Sequence, residues 1–446
     1  MVYYTLTVFS LYRYFWDEGL KMAKYFLIAG LAACVCLFIN FPVAFSYYSL
    51  LNMLILAVMA FTYRSFSGKH EVRCDVIIPA FNEGRHIFET VKSVMASKYR
   101  NFRIVVIDDG SSDDTRYWIQ LAEKSYPDTV TAVYFDKNRG KKHALAAGIQ
   151  ASDSEIIITI DSDSVIDENA IENILKPFAN EKVGAVAGNI NVQNLDQGLI
   201  PKMMDIIFVF SYELLRTAQS QFGSVLCTPG ALSAYRRSAV GPLLERWLNQ
   251  KFLGSYTSIG EDRALTCLLL REKWDVVYQE TAKAYTNMPV KYKDLCRMLL
   301  RWVRGDIREN ILLSPYVTST FSITDPKSVG LIFHFIIFNI STFAPIVILP
   351  LLVLYGAVNP AYFIAIAPYF LFVTVLWSVL PMMVYMRKKT MKYAFHSITY
   401  SLFAMIGLSW IPCWSILTLN NNKWLTRNGN AELEEDKSKA LETKKI

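Results

Sequence analysis

Apolar positions are spread unevenly along this chain. Residues 25–63 run for 39 positions without one Asp, Glu, Lys or Arg, residues 328–386 for 59, and residues 393–422 for 30. As a helix the first stretch would be roughly 58 Å long at about 1.5 Å per residue, against a bilayer core of roughly 30 Å. It therefore predicts two membrane-spanning helices, about 25–41 and 44–63, with a turn at Asn40-Phe41-Pro42. The second stretch breaks at "GAVNP" and predicts two more, about 328–355 and 361–386, and the third predicts one, about 393–419. Five spans are an odd number. They leave the polar tail, 423–446, on the outer side unless one apolar block is re-entrant or interfacial.

Between these blocks the pattern changes to short apolar runs ended by turn residues. "DVIIPAF" (75–81), "FRIVVIDDG" (102–110), "TAVYF" (131–135), "EIIITID" (155–161) and "VGAVAGNINV" (183–192) predict strands, and helical spacing fills 84–97, 113–125, 140–151 and 168–179. Strands apolar on both faces that alternate with helices imply a doubly wound, mostly parallel α/β sheet. In such sheets ligands bind beyond the carboxyl ends of the strands, and there lie "AFNE", "DDGSSDD" and "DSDS", with the basic loop "KNRGKKHAL" opening the helix before the fourth strand. The chain divides into an N-terminal membrane region (1–71), this α/β domain (72–290), an interfacial helix region (291–325), a C-terminal membrane region (326–422) and the tail (423–446). A further amphipathic segment, 198–222, is expected at the membrane surface.

Composition and charge add topology and partners. A hydrophobic content of 53% is too high for an ordinary soluble protein. The first apolar block lacks a small-residue cleavage site and is followed at once by a second, so it reads as an anchor rather than a signal peptide. Arg13, Lys21, Lys24, Arg64, Lys69, Arg387, Lys388, Lys389 and Lys392 flank the spans, and by the positive-inside rule the α/β domain is cytoplasmic. The net charge of +7 fits anionic headgroups and a negatively charged substrate. No basic run interleaved with exposed aromatics points to nucleic acid. The seven cysteines form no CxxC pair and read as reduced packing residues.

The candidate chemistry is carboxylate chemistry. Asp161 and Asp163, at i and i+2 on an extended strand end, point to one side and can share a divalent cation. Oxygen donors without His or Cys select Mg2+ or Mn2+, ions that keep waters and bind substrate phosphates. Lys141 and Lys142 at a helix start put positive charge where a diphosphate would lie. Each cluster also has a plain alternative: "DDGSSDD" and "IGEDRALT" can be acidic helix starts, and Asp167 reads as a helix cap.

"IIPAFNE", "IVVIDDGSSDDT", "RGKKHAL", "ITIDSDS", "IGEDRALT" and an Arg-Trp pair occur in an order that resembles the family 2 glycosyltransferases over nearly all of residues 73–310. "AGNINVQN", "TPGALSAYRR" and "VVYQETAKAYT" look most like hyaluronan synthases, with chitin, poly-N-acetylglucosamine and cellulose synthases more distant. The resemblance implies a GT-A domain that uses a UDP-sugar and Mg2+ or Mn2+. It implies that Ala80, Glu83, Asp108 and Asp109 surround the uridine, that Lys141 approaches the nucleotide, and that Asp161 and Asp163 hold the metal. Asp262 would be the base of an inverting displacement, Gly230 and Arg236 would meet the acceptor, Arg301 the diphosphate, and Trp302 would stack on the acceptor sugar. The implied product is a β-linked, hyaluronan-like polysaccharide built from UDP-N-acetylglucosamine and UDP-glucuronate, secreted by a multi-pass enzyme of the plasma membrane. A single-sugar polymer and a non-processive transfer to a lipid-linked acceptor are the alternatives. A scaffold with a degenerate domain is opposed by the intact Asp161, Asp163 and Asp262.

Two departures qualify the resemblance. The processive motif Gln-x-x-Arg-Trp reads Met298-Leu-Leu-Arg301-Trp302, and the usual Gly-Pro of the acceptor segment is Gly230-Ala231. Independently of the family, Lys293, Arg297, Arg301, Arg304 and Arg308 recur at steps of three and four, which predicts one basic stripe on a helix lying at the inner leaflet. The stripe is also expected to attract the anionic nucleotide.

Overall fold

The computed structural model describes Tyr48 and residues 51–421. The expected span 25–41 and the tail 423–446 lie outside the described residues. Of the span expected at 44–63, a helix α1 (Leu51–Thr62) is described.

In the central domain each predicted strand forms within two residues of its expected ends. β1 (Cys74–Ala80), β2 (Phe102–Asp108), β3 (Val130–Tyr134), β4 (Ile156–Thr159) and β6 (Val183–Val192) alternate with α2 (His86–Met95), α3 (Thr115–Ser125), α4 (Lys141–Ala151) and α5 (Ala170–Leu175). A two-residue strand, β5 (Val165–Ile166), precedes α5. After β6 come α6 (Leu199–Phe210), a π-helical turn (Ser211–Arg216), β7 (Ser233–Arg236), a small hairpin of β8 (Lys251–Phe252) and β9 (Ser255–Tyr256), α7 (Glu261–Arg271) and β10 (Asp275–Thr286). Eight strands form one sheet in the order β3-β2-β1-β4-β7-β6-β10-β5. β1 is parallel to β2 and β4, β2 to β3, and β6 to β10. Ile77, Ile78, Ile104, Ile107, Ile156 and Ile158 are fully buried between the helical layers, each stabilising by about 1.5–3 kcal/mol.

The apolar pattern discloses neither β5, β7 nor β10, and of these β7 matters most for the site. It runs antiparallel between β4 and β6, with Ser233 beside Thr159 and Arg236 beside Ile156. The loop before β7 therefore arrives at the carboxyl ends of the strands, and Arg236 ends at the opposite edge.

The long helix α8 (Tyr292–Ser319) follows β10. Its expected basic stripe is divided. Lys293 is exposed and Arg297 pairs with Asp294 at 3.4 Å, whereas Arg304 and Arg308 are 2% and 1% exposed. Arg304 donates to Thr418 Oγ1 at 2.8 Å and Arg308 to the Leu419 carbonyl at 3.1 Å, so this half of the stripe holds the residues that follow the helix Trp410–Leu417 instead of facing headgroups. Beyond α8, α9 (Pro326–Val358) and α10 (Pro360–Lys388) contain the two described helices long and apolar enough to cross a membrane. The block expected to span 393–419 is broken: Met391–Leu408 and Trp410–Leu417 meet at 42°.

Candidate active site

The turn after β2 sets the geometry of the next loop. The Asp109 carboxylate accepts the backbone N–H groups of Arg139 at 2.7 Å and Gly140 at 2.9 Å. Burial raises its pKa and those two bonds oppose the rise. Asp108, also buried, accepts from the Ser111 N–H and pairs with Arg116. The Ala80 carbonyl accepts the Asp109 N–H, and Thr115 Oγ1 accepts the Glu83 N–H at 2.7 Å. The acidic cluster thus fixes the loop that starts α4, and α4 begins with Lys141.

Lys141 crosses to two other elements. Its ammonium lies 2.6 Å from Asp161 Oδ1, just past β4, and 2.8 Å from Glu261 Oε1, at the first turn of α7. Burial opposes its charge, and the two carboxylates overcome that and raise its pKa. Burial pushes Glu261 up, while Lys141 and Arg301 pull it below the usual carboxylate range. The neighbouring Asp262 is half-buried, and burial together with the Glu261 charge pushes its pKa up to about 6. A carboxylate of that strength is deprotonated at neutral pH and still basic enough to accept a proton.

Two glycines permit this convergence. A methyl group on Gly230 would lie 2.8 Å from Lys141 Nζ and 2.9 Å from Asp161 Oδ2, so a side chain on the loop before β7 would have to push the ion pair aside. Gly260, at φ +74°, starts α7 from the left-handed region that favours glycine. The loop is tied to α7 by Thr228, whose N–H and hydroxyl both meet Thr266 Oγ1, which in turn donates to the Asp262 carbonyl at 2.8 Å.

Residues 75–244 match Glycosyl transferase family 2. A hyaluronan synthase of Streptococcus pyogenes is 37% identical over 262 residues, covering 57% of this chain and 62% of that protein. An N-acetylglucosaminyltransferase of Azorhizobium caulinodans is 35% identical over 255 residues, 55% of this chain and 64% of its own. The chain thus spans less than two thirds of the length of these curated relatives. Among solved structures, a mannosyltransferase from Pyrobaculum calidifontis in complex with GDP-Man and Mn2+ aligns over 83% of this chain and 97% of its own, at TM-score 0.54 and 18% identity, a likeness of fold. The chain carries a family 2 glycosyltransferase domain. Its fold is the GT-A fold.

Around the transferase domain's strand ends the structure gathers Lys141, Asp161, Gly230 and Asp262, and the charge of Arg301 on α8 reaches Glu261. Trp302, next to Arg301, packs its ring 6.2 Å from that of Phe208 on α6. Asp163 is exposed, two residues past Asp161. Arg236 is not brought to the site. It is buried at the far edge of the sheet, paired with Glu155 and donating to the carbonyls of Val183, Phe178 and Asn180. Lys142 also turns away: its ammonium reaches the carbonyl and hydroxyl of Thr257 at 3.1 and 3.3 Å, and burial lowers its pKa to about 8.

Glu261 carries no expected role from sequence, although it stands next to Asp262 in "GED". Its signal is only that adjacency, and contact with Lys141, 120 positions earlier, needs the fold. Arg263, which pairs with Asp306 of α8 at 3.1 Å and donates to Asn310 at 2.7 Å, was likewise not legible. The oxygen donors Asp161 and Asp163 suit a hard cation, and among the described residues no group of three His, Cys, Asp or Glu gathers to cage one. An ion there would complete its shell with water and phosphate oxygens, as Mg2+ commonly does.

Proposed function

We propose that this chain is a membrane-embedded, inverting glycosyltransferase that polymerises UDP-sugars into a β-linked, hyaluronan-like polysaccharide. The observation that carries the reading is the cluster at the strand ends, where Lys141 bridges Asp161 and Glu261 beside a half-buried Asp262 of raised pKa. Asp262 takes the proton from the acceptor hydroxyl, and the acceptor oxygen bonds to the anomeric carbon as the bond to the diphosphate breaks. UDP departs as the leaving group, the sugar stays on the acceptor oxygen, and the configuration at the anomeric carbon inverts. Lys141 and Arg301 lie where they would balance charge that builds on the leaving diphosphate. Trp302 offers its ring face to the acceptor sugar. Gly230 keeps the passage above Lys141 open. Ala80 and Glu83 would border the uridine, in a wall that Asp108 and Asp109 shape through Ser111, Arg116, Arg139 and Gly140.

Asp161 and Asp163 would hold the divalent cation, Mg2+ or Mn2+, which supplies further positive charge to the diphosphate. The transferase domain (72–290) would be cytoplasmic, with α8 (within 291–325) at the interface and the flanking helices (1–71 and 326–422) in a multi-pass arrangement in the plasma membrane. That arrangement lets synthesis and passage of the polymer share one chain.

One observation favours a second reading. Met298, where processive relatives carry Gln, is 6% exposed and packed in the core, so it offers no polar group to a growing chain. A non-processive transfer to a short or lipid-linked acceptor follows from that. Purified protein with labelled UDP-N-acetylglucosamine, with and without UDP-glucuronate, separates the cases. A polymer that needs both donors supports the first reading, a polymer from one donor a chitin-like product, and short products alone the second. Absence of transfer from either donor contradicts both.

A further inference from the structure

The basic run Arg387-Lys388-Lys389 at the end of α10 reads in sequence as charge for lipid headgroups. Lys388 and Lys389 are instead turned into the protein, about one quarter exposed. The Lys388 ammonium lies 2.9 Å from Glu213 Oε2 and 2.6 Å from Glu280 Oε1. Lys389 lies 2.6 Å from Asp205 Oδ1, and Tyr385, one turn earlier on α10, donates to Asp205 Oδ2 at 2.8 Å. Asp205 is fully buried and Glu213 is 6% exposed. Buried carboxylates of this kind are costly unless they are paired.

Both acids sit on the segment that leads to the acceptor side of the site. Asp205 is in α6, and Glu213 lies in the π-helical turn, where Asn189 donates to Glu213 Oε1 at 2.8 Å. π turns interrupt helical register and recur at functional sites. From this segment Phe208 meets Trp302, the ring centroids of Phe208 and Tyr212 are 5.9 Å apart, and the Arg216 guanidinium lies 4.1 Å over Tyr212. Arg216 donates to the Cys227 carbonyl, next to the Thr228 that is tied to α7. One side of the segment is bonded to the membrane helix, and the other backs Trp302 and the loop beside Asp262.

We propose that Lys388 and Lys389 are positioning residues, which hold α6 and its π turn in the register that places Trp302 for the acceptor. The membrane helix α10 thereby sets acceptor binding without touching the donor. This inference rests on the acceptor role proposed for Trp302. Its test uses the full-length protein in lipid nanodiscs and two readouts: UDP release from UDP-N-acetylglucosamine alone, and transfer to an added chito-oligosaccharide. Lys388→Gln raises the acceptor KM about tenfold, keeps acceptor-independent UDP release within about twofold, and is rescued by Lys388→Arg. Where Lys388→Gln does not accumulate, Glu213→Gln, isosteric and uncharged, carries the same test. An unchanged acceptor KM, or a parallel fall of both readouts in folded variant protein, overturns the inference. A wild-type protein that releases no UDP from any UDP-sugar overturns the underlying reading instead.

Discussion

The two edges of the sheet hold the same kinds of side chain and treat them in opposite ways. At the amino end of β4, Arg236 is saturated by Glu155 and three carbonyls. Nearby on β1, the buried Asp75 is matched by Arg103 at 2.7 Å and by the Ser152 hydroxyl at 2.6 Å. Burial works to raise the Asp75 pKa, but those partners lower it. At the carboxyl end, Asp161 and Glu261 share Lys141, and Asp262 beside them has its pKa raised. Charge that finds its full complement holds the fold. Charge crowded onto too few partners is set up to change protonation or to take a ligand.

The largest expected effect breaks the crowded edge at its base. Asp262→Asn lowers kcat for transfer by about 10³-fold or more while donor affinity, read by calorimetry, stays within about threefold. Lys141→Met leaves Asp161 and Glu261 without their shared cation, and a fall of about 10²–10³-fold in kcat/KM is expected in the same transfer assay. The matched edge answers in stability instead. Arg236→Met costs about 2–3 kcal/mol, because Glu155 is partly solvated but the buried carbonyls lose their donor. Its melting temperature then falls by roughly 5–10 °C, with transfer per folded molecule unchanged. Gly230→Ala, which brings a methyl group against Lys141 and Asp161, weakens donor binding about tenfold in the calorimeter.

Much of this contrast was legible in the sequence. Continuous apolar runs fixed the positions of β1, β2, β4 and β6, and turn residues after them marked the edge at which Asp109, Asp161 and the Lys141 loop meet. What pattern could not supply was direction. "TPGALSAYRR" carries Gly230 and Arg236 six residues apart, and only β7 running antiparallel to β4 sends the first to the site and the second to the far edge. The basic spacing on α8 predicts one stripe, yet α8 is covered along part of its length by Thr418 and Leu419, and Arg304 and Arg308 are buried there. In sequence Lys141 and Lys142 together offer charge for a diphosphate. They are adjacent on a helix, and adjacent helical side chains point to different faces. The charge of Lys388 and Lys389 fitted a topology rule, but their buried partners lie some 180 positions earlier and leave no local trace.

Whether crowding at the carboxyl edge poises Asp262 shows most directly in the pH dependence of kcat/KM for the wild-type enzyme with saturating metal. Asp262 must be deprotonated to accept the acceptor proton, and its raised pKa means that it becomes protonated on acidification earlier than an ordinary Asp near 4. An acid limb with an apparent pKa of about 6 is expected, below which the rate falls about tenfold per pH unit. A rate that stays flat from pH 7.5 to pH 5, with the protein folded throughout, would contradict it.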